Sequence, residues 1–400
     1  MGRKLHVKDV KVEGRRVLTR VDFNVPLSSD GSVADDTRIE RALPTIRNIV
    51  ERGGRAVFMS HLGRPKGKAV DEYRMKPVAE RLGKLIDMNV TMAPDCVGDR
   101  TEAVVADMKD GDIVLLENLR FHAGETENAA DFARRLARLG DEYVDDAFGT
   151  AHRAHASTVG AAELFERRAM GFLIEAELEN LSLATEAPKR PYVALLGGAK
   201  VSDKLGVIDN LLDHVDVFLI GGGMAFTFLK ARGVSVGDSL VEEDLVDTAS
   251  GILGRVEAAG KSIHLPLDIV VSKDIDDESS ARVVTTDEGV PDGWKGLDIG
   301  PGTVKAFSAE IAEAMTIVWN GPMGVFEKPA FADGTKKTAE AVADRTDEGA
   351  VSIVGGGDSA SAVAKAGVAD RMTHISTGGG ASLQFLEGEP LPGIEILTDV

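Results

Sequence analysis

The sequence predicts an α/β protein built from two doubly wound parallel-sheet (Rossmann-like) domains joined by an interdomain helix. The first observation is the length, because 400 residues exceed the roughly 150 that one compact core commonly takes. The second is a succession of short apolar runs alternating with helical segments, which is typical of parallel strands covered on both faces. The third is a change of chemistry after the runs, cationic in the first half and glycine-rich in the second.

Ten apolar runs are predicted to be strands. The first half contains four of them, at 15–23, 55–60, 112–117 and 142–147. The second half contains six, at 192–197, 216–221, 263–272, 315–320, 351–356 and 372–377. Ligands of a doubly wound sheet bind beyond the carboxyl ends of its strands, so the residues directly after each run are the candidates for function.

The predicted domain limits follow the change of chemistry. We place the first domain at 1–173, the interdomain helix at 174–189 and the second domain at 190–385. The connector is predicted to be one helix over EAELENLSLATEAP. Pro191 then marks the end of the connector, directly before the next predicted strand. A surface helix of the first domain is the alternative interpretation of this segment.

The composition excludes several kinds of partner. Asp and Glu number 65 against 46 Lys and Arg, which gives a net charge of −19. Such a field repels nucleic acid and anionic membranes, so we expect neither as a partner. The acidic excess also predicts a halophilic or salt-tolerant source, because dense salt screens self-repulsion. An ordinary acidic cytosolic enzyme is the alternative.

The chain is expected to be cytoplasmic. No apolar run approaches the roughly 18–20 residues that cross a bilayer, and the first residues, MGRKLHVKDVKVEG, lack an apolar signal core. The single cysteine, Cys96, excludes an internal disulfide framework and suits a reducing compartment. We expect no histidine or acidic partner beside Cys96 and predict a buried or incidental thiol.

Cations and amides follow the runs of the first half. They are Asn24, Arg38, His61, Arg64, Arg120, His152, Arg153 and His155. Guanidinium groups bind carboxylate and phosphate oxygens in pairs, so arginines on neighbouring loops predict a small, highly charged anion. A zinc site at the three histidines is disfavoured, because the neighbouring arginines would repel a cation.

Glycines follow the runs of the second half. They stand at 197–198, 221–223, 321, 355–357 and 378–380. Glycine-rich turns let backbone amides approach a polyphosphate, and the dipole of the following helix adds favourable charge. A small anion on one domain and a nucleotide on the other is the arrangement of a kinase. Closure of the domains would exclude water, which is a competing phosphoryl acceptor.

Three charged residues accompany the glycine loops. Lys200 and Lys204 are four apart, and we expect both on one face of a helix that opens directly after Gly198, where an anion would compensate them. Two solvated surface lysines are the alternative. Asp358 stands beside a phosphate loop, where a carboxylate requires an intervening cation, so we predict a Mg²⁺ ligand. A plain N-cap is the alternative for Asp358.

Other enzyme classes fit less well. No Walker A sequence, GxxxxGK[ST], is present, so the chain is not a P-loop enzyme. GGGDSA at 355–360 matches the loose GxGxxA dinucleotide fingerprint, which leaves a dehydrogenase open, although no acidic residue is evident in the ribose-binding place. A serine hydrolase is disfavoured by the absence of a GxSxG elbow.

Nine motifs resemble the phosphoglycerate kinase family and stand in that family's order. They are VDFNVP (21–26), SHLGRP (60–65), ENLRFH (117–122), FGTAHRAHAS (148–157), LGGAKVSDK (196–204), GGGMAFTFLK (221–230), WNGPMGVFE (319–327), GGGDSA (355–360) and STGGGASL (376–383). Nine motifs in register along the whole chain are far more specific than one glycine loop. In one departure, Ser359 stands where the family commonly has Thr, and the hydroxyl is retained.

The resemblance implies a role for each matching residue. Those expected to hold 3-phosphoglycerate are Asp22, Asn24, Arg38, His61, Arg64, Arg120 and Arg153. Those expected to bind ATP or ADP are Lys200, Lys204, Gly221 and Gly222 (adenine pocket), Glu327 (ribose), Gly356, Gly357, Asp358 (also Mg²⁺) and Ser359. Arg38 and Lys200 would be catalytic, because they would neutralise charge on the moving phosphoryl group. The resemblance also implies a monomer and a C-terminal segment, 386–400, that returns to the first domain.

The implied reaction is reversible, Mg²⁺-dependent phosphoryl transfer between ATP and the carboxylate of 3-phosphoglycerate, giving ADP and 1,3-bisphosphoglycerate. We expect direct in-line transfer without a phosphoenzyme, and without a general base because the accepting carboxylate is already ionised. Another small-anion kinase is the alternative within the same class. A nucleotide-binding protein that has lost catalysis would lose the cations, whereas Arg38 and Lys200 are both present.

Overall fold

The computed structural model describes residues 2–186 and 188–400. The chain divides into two compact units, which we call the first and the second unit. The first comprises the chain up to Glu179 together with Pro390–Val400, and the second comprises Asn180–Glu389. The division falls inside a helix, Phe172–Thr185, that overlaps the predicted connector. Ala187, within that predicted connector, lies outside the described residues.

The first unit contains a six-stranded sheet. Its strands are β1 (Arg16–Val21), β2 (Arg55–Met59), β3 (Val90–Met92), β4 (Ile113–Leu115), β5 (Glu142–Asp146) and β6 (Arg168–Met170). Their order across the sheet is β3-β4-β2-β1-β5-β6, and every neighbouring pair is parallel. The carboxyl ends of β4, β2, β1 and β5 therefore lie side by side at one edge.

Helices cover this sheet, and the first of them buries an apolar stripe against it. In the first helix, Ile39, Ala42, Ile46 and Ile49 recur every three or four residues and are buried. The helices are α1 (Thr37–Glu51), α2 (Lys76–Ile86), α3 (Asp99–Ala106), α4 (Ala123–Thr126), α5 (Ala130–Ala137) and α6 (Phe172–Thr185), with a one-turn helix at Pro392–Glu395.

The second unit contains two sheets. Its strands are β7 (Tyr192–Leu196), β8 (Val217–Ile220), β9 (Ser262–His264), β10 (Asp268–Ser272), β11 (Arg282–Thr285), β12 (Lys295–Ile299), β13 (Thr316–Asn320), β14 (Val351–Gly355) and β15 (His374–Ile375). Six of them form a parallel sheet in the order β15-β14-β13-β7-β8-β9. The other three form an antiparallel sheet in the order β11-β10-β12.

The core of the second unit lies against its parallel sheet. Phe307 and Trp319 are buried there, and the Trp319 indole nitrogen donates to the carbonyl of Gly321 at 2.7 Å, which ties the core to the loop after β13. The helices are α7 (Leu205–Leu211), α8 (Ala225–Ala231), α9 (Val246–Ala258), α10 (Pro301–Glu313), α11 (Asp333–Asp347), α12 (Gly357–Lys365) and α13 (Gly380–Leu386).

The predicted fold class is confirmed, since each unit has a parallel sheet with helices between its strands. All ten predicted runs contain strands, but the run at 263–272 forms two strands in different sheets. Pro266 lies between them and cannot donate to a strand ladder, so the chain breaks there. The antiparallel sheet was not predicted. Among the described residues, no helix combines the length and apolar composition that crossing a bilayer requires.

Candidate functional site

The edge formed by β4, β2, β1 and β5 gathers the residues predicted to bind an anion. Asp22 and Asn24 follow β1, His61 and Arg64 follow β2, Arg120 follows β4 and Arg153 follows β5. Arg38 lies in the first turn of α1, and its guanidinium forms an ion pair with Asp22. The structure thus places all seven predicted substrate residues in the first unit, and their individual roles stay predictions.

Gly63 links two of the loops at this edge. Its amide donates to the Asn24 side-chain oxygen at 2.9 Å, and its carbonyl accepts from the Arg120 guanidinium at 2.8 Å. Gly63 has a φ of 62°, and a Cβ there would lie 2.5 Å from a ring carbon of Tyr73. Only glycine fits this position, so the loop after β2 is held where Arg120 reaches it.

Three arginines surround one cavity of about 450 Å³. Arg64, Arg120 and Arg153 line it together with Lys66 and His155. Within the described part of the chain, none of the three arginines forms an ion pair with a carboxylate. Burial, and then the charges of Arg153 and Arg20, lower the pKa of Arg120 to about 10, so it stays protonated at neutral pH. The cavity therefore suits an anion with several oxygens.

A buried guanidinium lies beneath this surface. Arg20 is 1% exposed within β1, and its Nη2 contacts His61 Nδ1 at 3.0 Å. Its Nε donates to Ser157 Oγ at 2.8 Å, and Ser157 Oγ in turn donates to Glu125 Oε1 at 2.7 Å. Glu125 is fully buried. The four side chains form one network in which the positive and negative charges compensate each other.

This network sets the protonation of His61. Burial first, and then the charges of Arg20 and Arg120 among others, hold the pKa of His61 well below its usual value. Because arginine is always a donor, Nδ1 of His61 accepts from Arg20, and the proton of the neutral ring resides on Nε2. His61 is therefore a neutral hydrogen-bond donor at this edge.

The other two histidines of the cationic loops are also neutral. Burial, and then the neighbouring arginines, lower the pKa of His155 to about 4. Burial and Arg153 lower the pKa of His152, whose Nε2 accepts from Arg153 Nε at 3.0 Å. The His152 nitrogen that faces Arg153 is thus not free to bind a metal.

Glycines let two loops of the second unit meet where the strand order reverses. The amide of Gly197, after β7, donates to the carbonyl of Asn320, at the end of β13, at 2.9 Å. The amide of Gly198 donates to Pro322 at 2.9 Å. A Cβ on Gly321 would lie 2.2 Å from the Gly197 carbonyl oxygen. Such a reversal is where doubly wound sheets bind ligands.

A cavity of about 330 Å³ opens between these loops. The predicted phosphate-binding residues that line it are Lys200, Lys204, Gly356, Gly357, Asp358 and Ser359. Ser359 is buried in the first turn of α12, and its hydroxyl accepts from the Gly321 amide at 2.7 Å. Ser359 therefore joins the loop after β14 to the loop after β13.

The two lysines do not share a helix, so that prediction was wrong. Helix α7 begins only at Leu205, and the residues from Val201 to Lys204 form bends and turns. The Ser202 amide donates to Glu242 Oε2 at 3.0 Å, and the Lys204 amide donates to the Val201 carbonyl at 2.8 Å, so this segment forms a turn and not a helix. Burial lowers the pKa of Lys204, while the charges of Asp203, Glu387 and Asp358 oppose that shift. Both lysines nevertheless line the cavity.

A mainly apolar cavity of about 520 Å³ lies beside the 330 Å³ cavity of the second unit. Gly222, Phe226 and Leu240 are part of its lining, and Glu327 lies exposed at its wall. A Cβ on Gly221 would lie 2.5 Å from the Met323 sulfur, so that glycine allows the wall to close. The structure thus places Gly222 and Glu327 at one apolar space, whereas Gly221, also predicted for adenine, is buried against Met323 and does not line it.

Sequence patterns missed Arg20, Glu125 and Ser157. A charged residue inside the apolar run VLTRVDF was the one signal for Arg20, because a buried strand tolerates a charge only when it is paired. Ser157 ends the motif FGTAHRAHAS, to which no role for that serine was attached, and Glu125 lies in a segment without a comparable signal.

The fold and its two sites define a kinase that acts on a small anion: guanidinium groups line one site and glycine amides line the other. A family model described as Phosphoglycerate kinase matches residues 7–389. The chain belongs to the phosphoglycerate kinase family and is a kinase that transfers phosphate. The dehydrogenase alternative is thereby set aside.

Known proteins of this family are similar over nearly the whole chain. A phosphoglycerate kinase of Chloroherpeton thalassium is 52% identical over 397 residues, which are 99% of this chain and 100% of that relative. One of Synechococcus elongatus is 53% identical over 97% of this chain and 96% of the relative. The structure of phosphoglycerate kinase from Coxiella burnetii covers 98% of both chains with a TM-score of 0.88 and 42% identity.

Replacing Arg20 by Met should destabilise the first unit by about 3–5 kcal/mol, because Glu125 would keep a buried charge without its compensating cation. The double variant Arg20→Met/Glu125→Gln should recover part of this loss, since it removes the lone charge. Denaturant unfolding followed by circular dichroism would measure the free energies of unfolding.

The matched control is Arg16→Met, which breaks the partly exposed ion pair with Asp141 and should cost only about 0–1 kcal/mol. Purely additive losses in the double variant would show that Arg20 and Glu125 do not act as one network.

Proposed function

We propose that the protein catalyses reversible, Mg²⁺-dependent phosphoryl transfer between ATP and the carboxylate of 3-phosphoglycerate, a step of glycolysis and gluconeogenesis. The observation that carries this proposal is the contrast between the two cavities. Arginines that pair with no carboxylate among the described residues line the cavity of the first unit, and glycines with two lysines line that of the second. The names of the similar proteins support the same reaction.

The first unit is proposed to hold 3-phosphoglycerate. Arg64, Arg120 and Arg153 surround a cavity with three guanidinium forks, which match phosphate oxygens in pairs. His61 adds a neutral donor at Nε2, as fixed by Arg20. Asp22, Asn24 and Arg38 complete the proposed substrate site. The ion pair with Asp22 orients the Arg38 guanidinium, which is proposed to face the transferring group.

The second unit is proposed to hold the nucleotide. Lys204, Gly356, Gly357 and Ser359 line the cavity of about 330 Å³, which we call the phosphate cavity, at the start of α12, where a helix N-terminus favours negative charge. Gly222 is proposed to line the adenine pocket and Glu327 to contact the ribose, while Gly221 is buried against Met323.

Asp358 is proposed to bind Mg²⁺ together with the nucleotide phosphates. Its carboxylate is exposed on the wall of the phosphate cavity, in the first turn of α12. A carboxylate oxygen is a hard ligand of the kind Mg²⁺ prefers, and Mg²⁺ commonly takes one or two carboxylates plus phosphate oxygens, so the residue fits the ion. When bound, Mg²⁺ would neutralise charge on the phosphates.

The chain's own part in the reaction is positioning and charge. The accepting carboxylate of 3-phosphoglycerate is ionised at neutral pH, so no side chain needs to remove a proton. Arg38 and Lys200 are proposed to neutralise the charge that develops on the phosphoryl group during direct in-line transfer. Domain closure is proposed to bring the substrates together and to exclude water, the competing acceptor.

The protein is proposed to be a cytoplasmic monomer that binds neither nucleic acid nor membrane. Its net charge of −19 opposes binding to other polyanions. Light scattering after gel filtration should give the 42.4 kDa of one chain, and twice that mass would contradict the monomer.

Arg38→Ala and Lys200→Ala should each lower kcat by roughly 10²–10³, because each removes a cation that acts on the transferring group. Asp358→Asn should raise the Mg²⁺ concentration that half-saturates the rate. Phosphorylation of 3-phosphoglycerate by ATP, coupled to NADH oxidation through the dehydrogenase that consumes the product, would measure all three variants.

The control for these variants is Lys76→Ala on α2, since the Lys76 side chain is 76% exposed and lies outside both proposed sites. Near-parental turnover by Arg38→Ala or Lys200→Ala would contradict that residue's role. No turnover of 3-phosphoglycerate at any salt concentration, with ATP still bound, would indicate a different acceptor or a non-catalytic nucleotide-binding protein.

A halophilic or salt-tolerant source is also proposed, from the net charge of −19. The Debye length falls from about 10 Å at 0.1 M salt to about 3 Å at 1 M, so KCl should screen the self-repulsion of the folded chain. The melting temperature, measured by circular dichroism, should therefore rise with KCl. The same series in NaCl is the control for ion identity, and a flat or falling melting temperature would contradict salt tolerance.

A further inference from the structure

Three side chains with metal-binding chemistry meet in the first unit, and none of them lines the cavity of the arginines. Asp95 and Cys96 follow β3, and His122 is the residue before α4. Their carboxylate oxygen, thiol sulfur and imidazole nitrogen all lie within 4.8 Å of one another. The expectation that Cys96 has no acidic or histidine partner was therefore wrong, because Asp95 is its neighbour and the fold brings up His122.

The separations between the three ligand atoms can be compared with those of a tetrahedral zinc site. His122 Nε2 and Asp95 Oδ1 are 2.8 Å apart. Bonds of about 2.0–2.3 Å from zinc to nitrogen, oxygen and sulfur place neighbouring tetrahedral ligands about 3.3–3.8 Å apart. Opening of the His122–Asp95 pair from 2.8 Å to about 3.3 Å, with an approach of the sulfur, which lies within 4.8 Å of both atoms, would accommodate the ion.

Access and charge also favour a cation. The Cys96 thiol is fully buried, whereas the side chains of His122 and Asp95 are 31% and 45% exposed, so the thiol forms the inner wall of a site open to solvent. Burial, and then the negative charges of Asp95 and Glu125, raise the pKa of Cys96 well above its usual value. The same two carboxylates attract a cation.

The ligands are already held in place by their surroundings. The His122 ring stacks on Phe132, with centroids 5.1 Å apart and an angle of 26° between the planes. The carbonyl of Asp95 accepts from Thr101 Oγ1 at 3.0 Å. Surroundings that fix the orientation of ligands raise metal affinity.

We propose that Asp95, Cys96 and His122 form a binding site for a zinc-like divalent cation, separate from the Mg²⁺ proposed to act with the nucleotide. A thiolate with an imidazole selects zinc over magnesium, and a water from the solvent side would complete four-coordination. On binding, the sulfur–metal bond replaces the S–H bond, and the thiol proton passes to solvent.

Zinc and cobalt binding to the full-length protein would test this site. Competition with a chromophoric chelator should show one equivalent of Zn²⁺, and the affinity should fall at least about tenfold in His122→Ala and in Cys96→Ser. Co²⁺ should give a thiolate-to-metal absorption band. Because Cys96 is the chain's single cysteine, that band reports on this site alone.

The matched control is His264→Ala, which alters another histidine–carboxylate pair, His264 Nε2 with Glu310 Oε1 at 3.4 Å, and should leave Zn²⁺ affinity unchanged. Equal Zn²⁺ affinity in His122→Ala and the parent, or a cobalt spectrum without the thiolate band, would overturn the proposal. Circular dichroism would confirm folding of each variant. Should Cys96→Ser fail to fold, His122→Ala and Asp95→Asn decide the question, because both residues are partly exposed.

Discussion

The hydrogen bonds of one buried guanidinium organise the acceptor side of this protein. Arg20 lies inside a strand, and its burial is tolerable because His61 and Ser157 accept its hydrogen bonds and Glu125 balances its charge. The loops after β2 and β5 and helix α4 are thereby held to the central strand. The anion-binding edge depends on this network, because it ties the loops that carry His61 and Arg153 to β1.

The second unit binds charge in another way. Its phosphate cavity is formed largely by backbone, where glycines at 197 and 321 let loops approach more closely than any side chain would allow. Lysines 200 and 204 add cations, and Asp358 adds the one acidic group proposed to need a metal. In a chain with a net charge of −19, the cavity of the first unit concentrates cations, since Arg64, Lys66, Arg120 and Arg153 line it against one carboxylate, Glu127.

The features that could be predicted from the sequence are those that depend on a local residue pattern. Apolar runs identified the parallel strands, because a strand buried on both faces needs continuous apolar residues whatever its neighbours are. Pro266 interrupts the run at 263–272, and the antiparallel sheet beyond it was not predicted. The lysines at 200 and 204 show that residue spacing predicts a shared face only where a helix has begun. The pairing of Cys96 with His122 depends on tertiary folding alone, so no local spacing predicts it.

The central claim is that the first unit binds the acceptor anion and the second binds the nucleotide. A nuclear magnetic resonance titration tests it most directly, with 3-phosphoglycerate and MgADP added separately to the full-length protein. We expect 3-phosphoglycerate to shift the ring signals of His61, His152 and His155, and MgADP to shift the amide signals of Gly356 and Gly357. If 3-phosphoglycerate shifted the two glycine signals and left the three histidines unchanged, the assignment of the substrates to the units would be wrong.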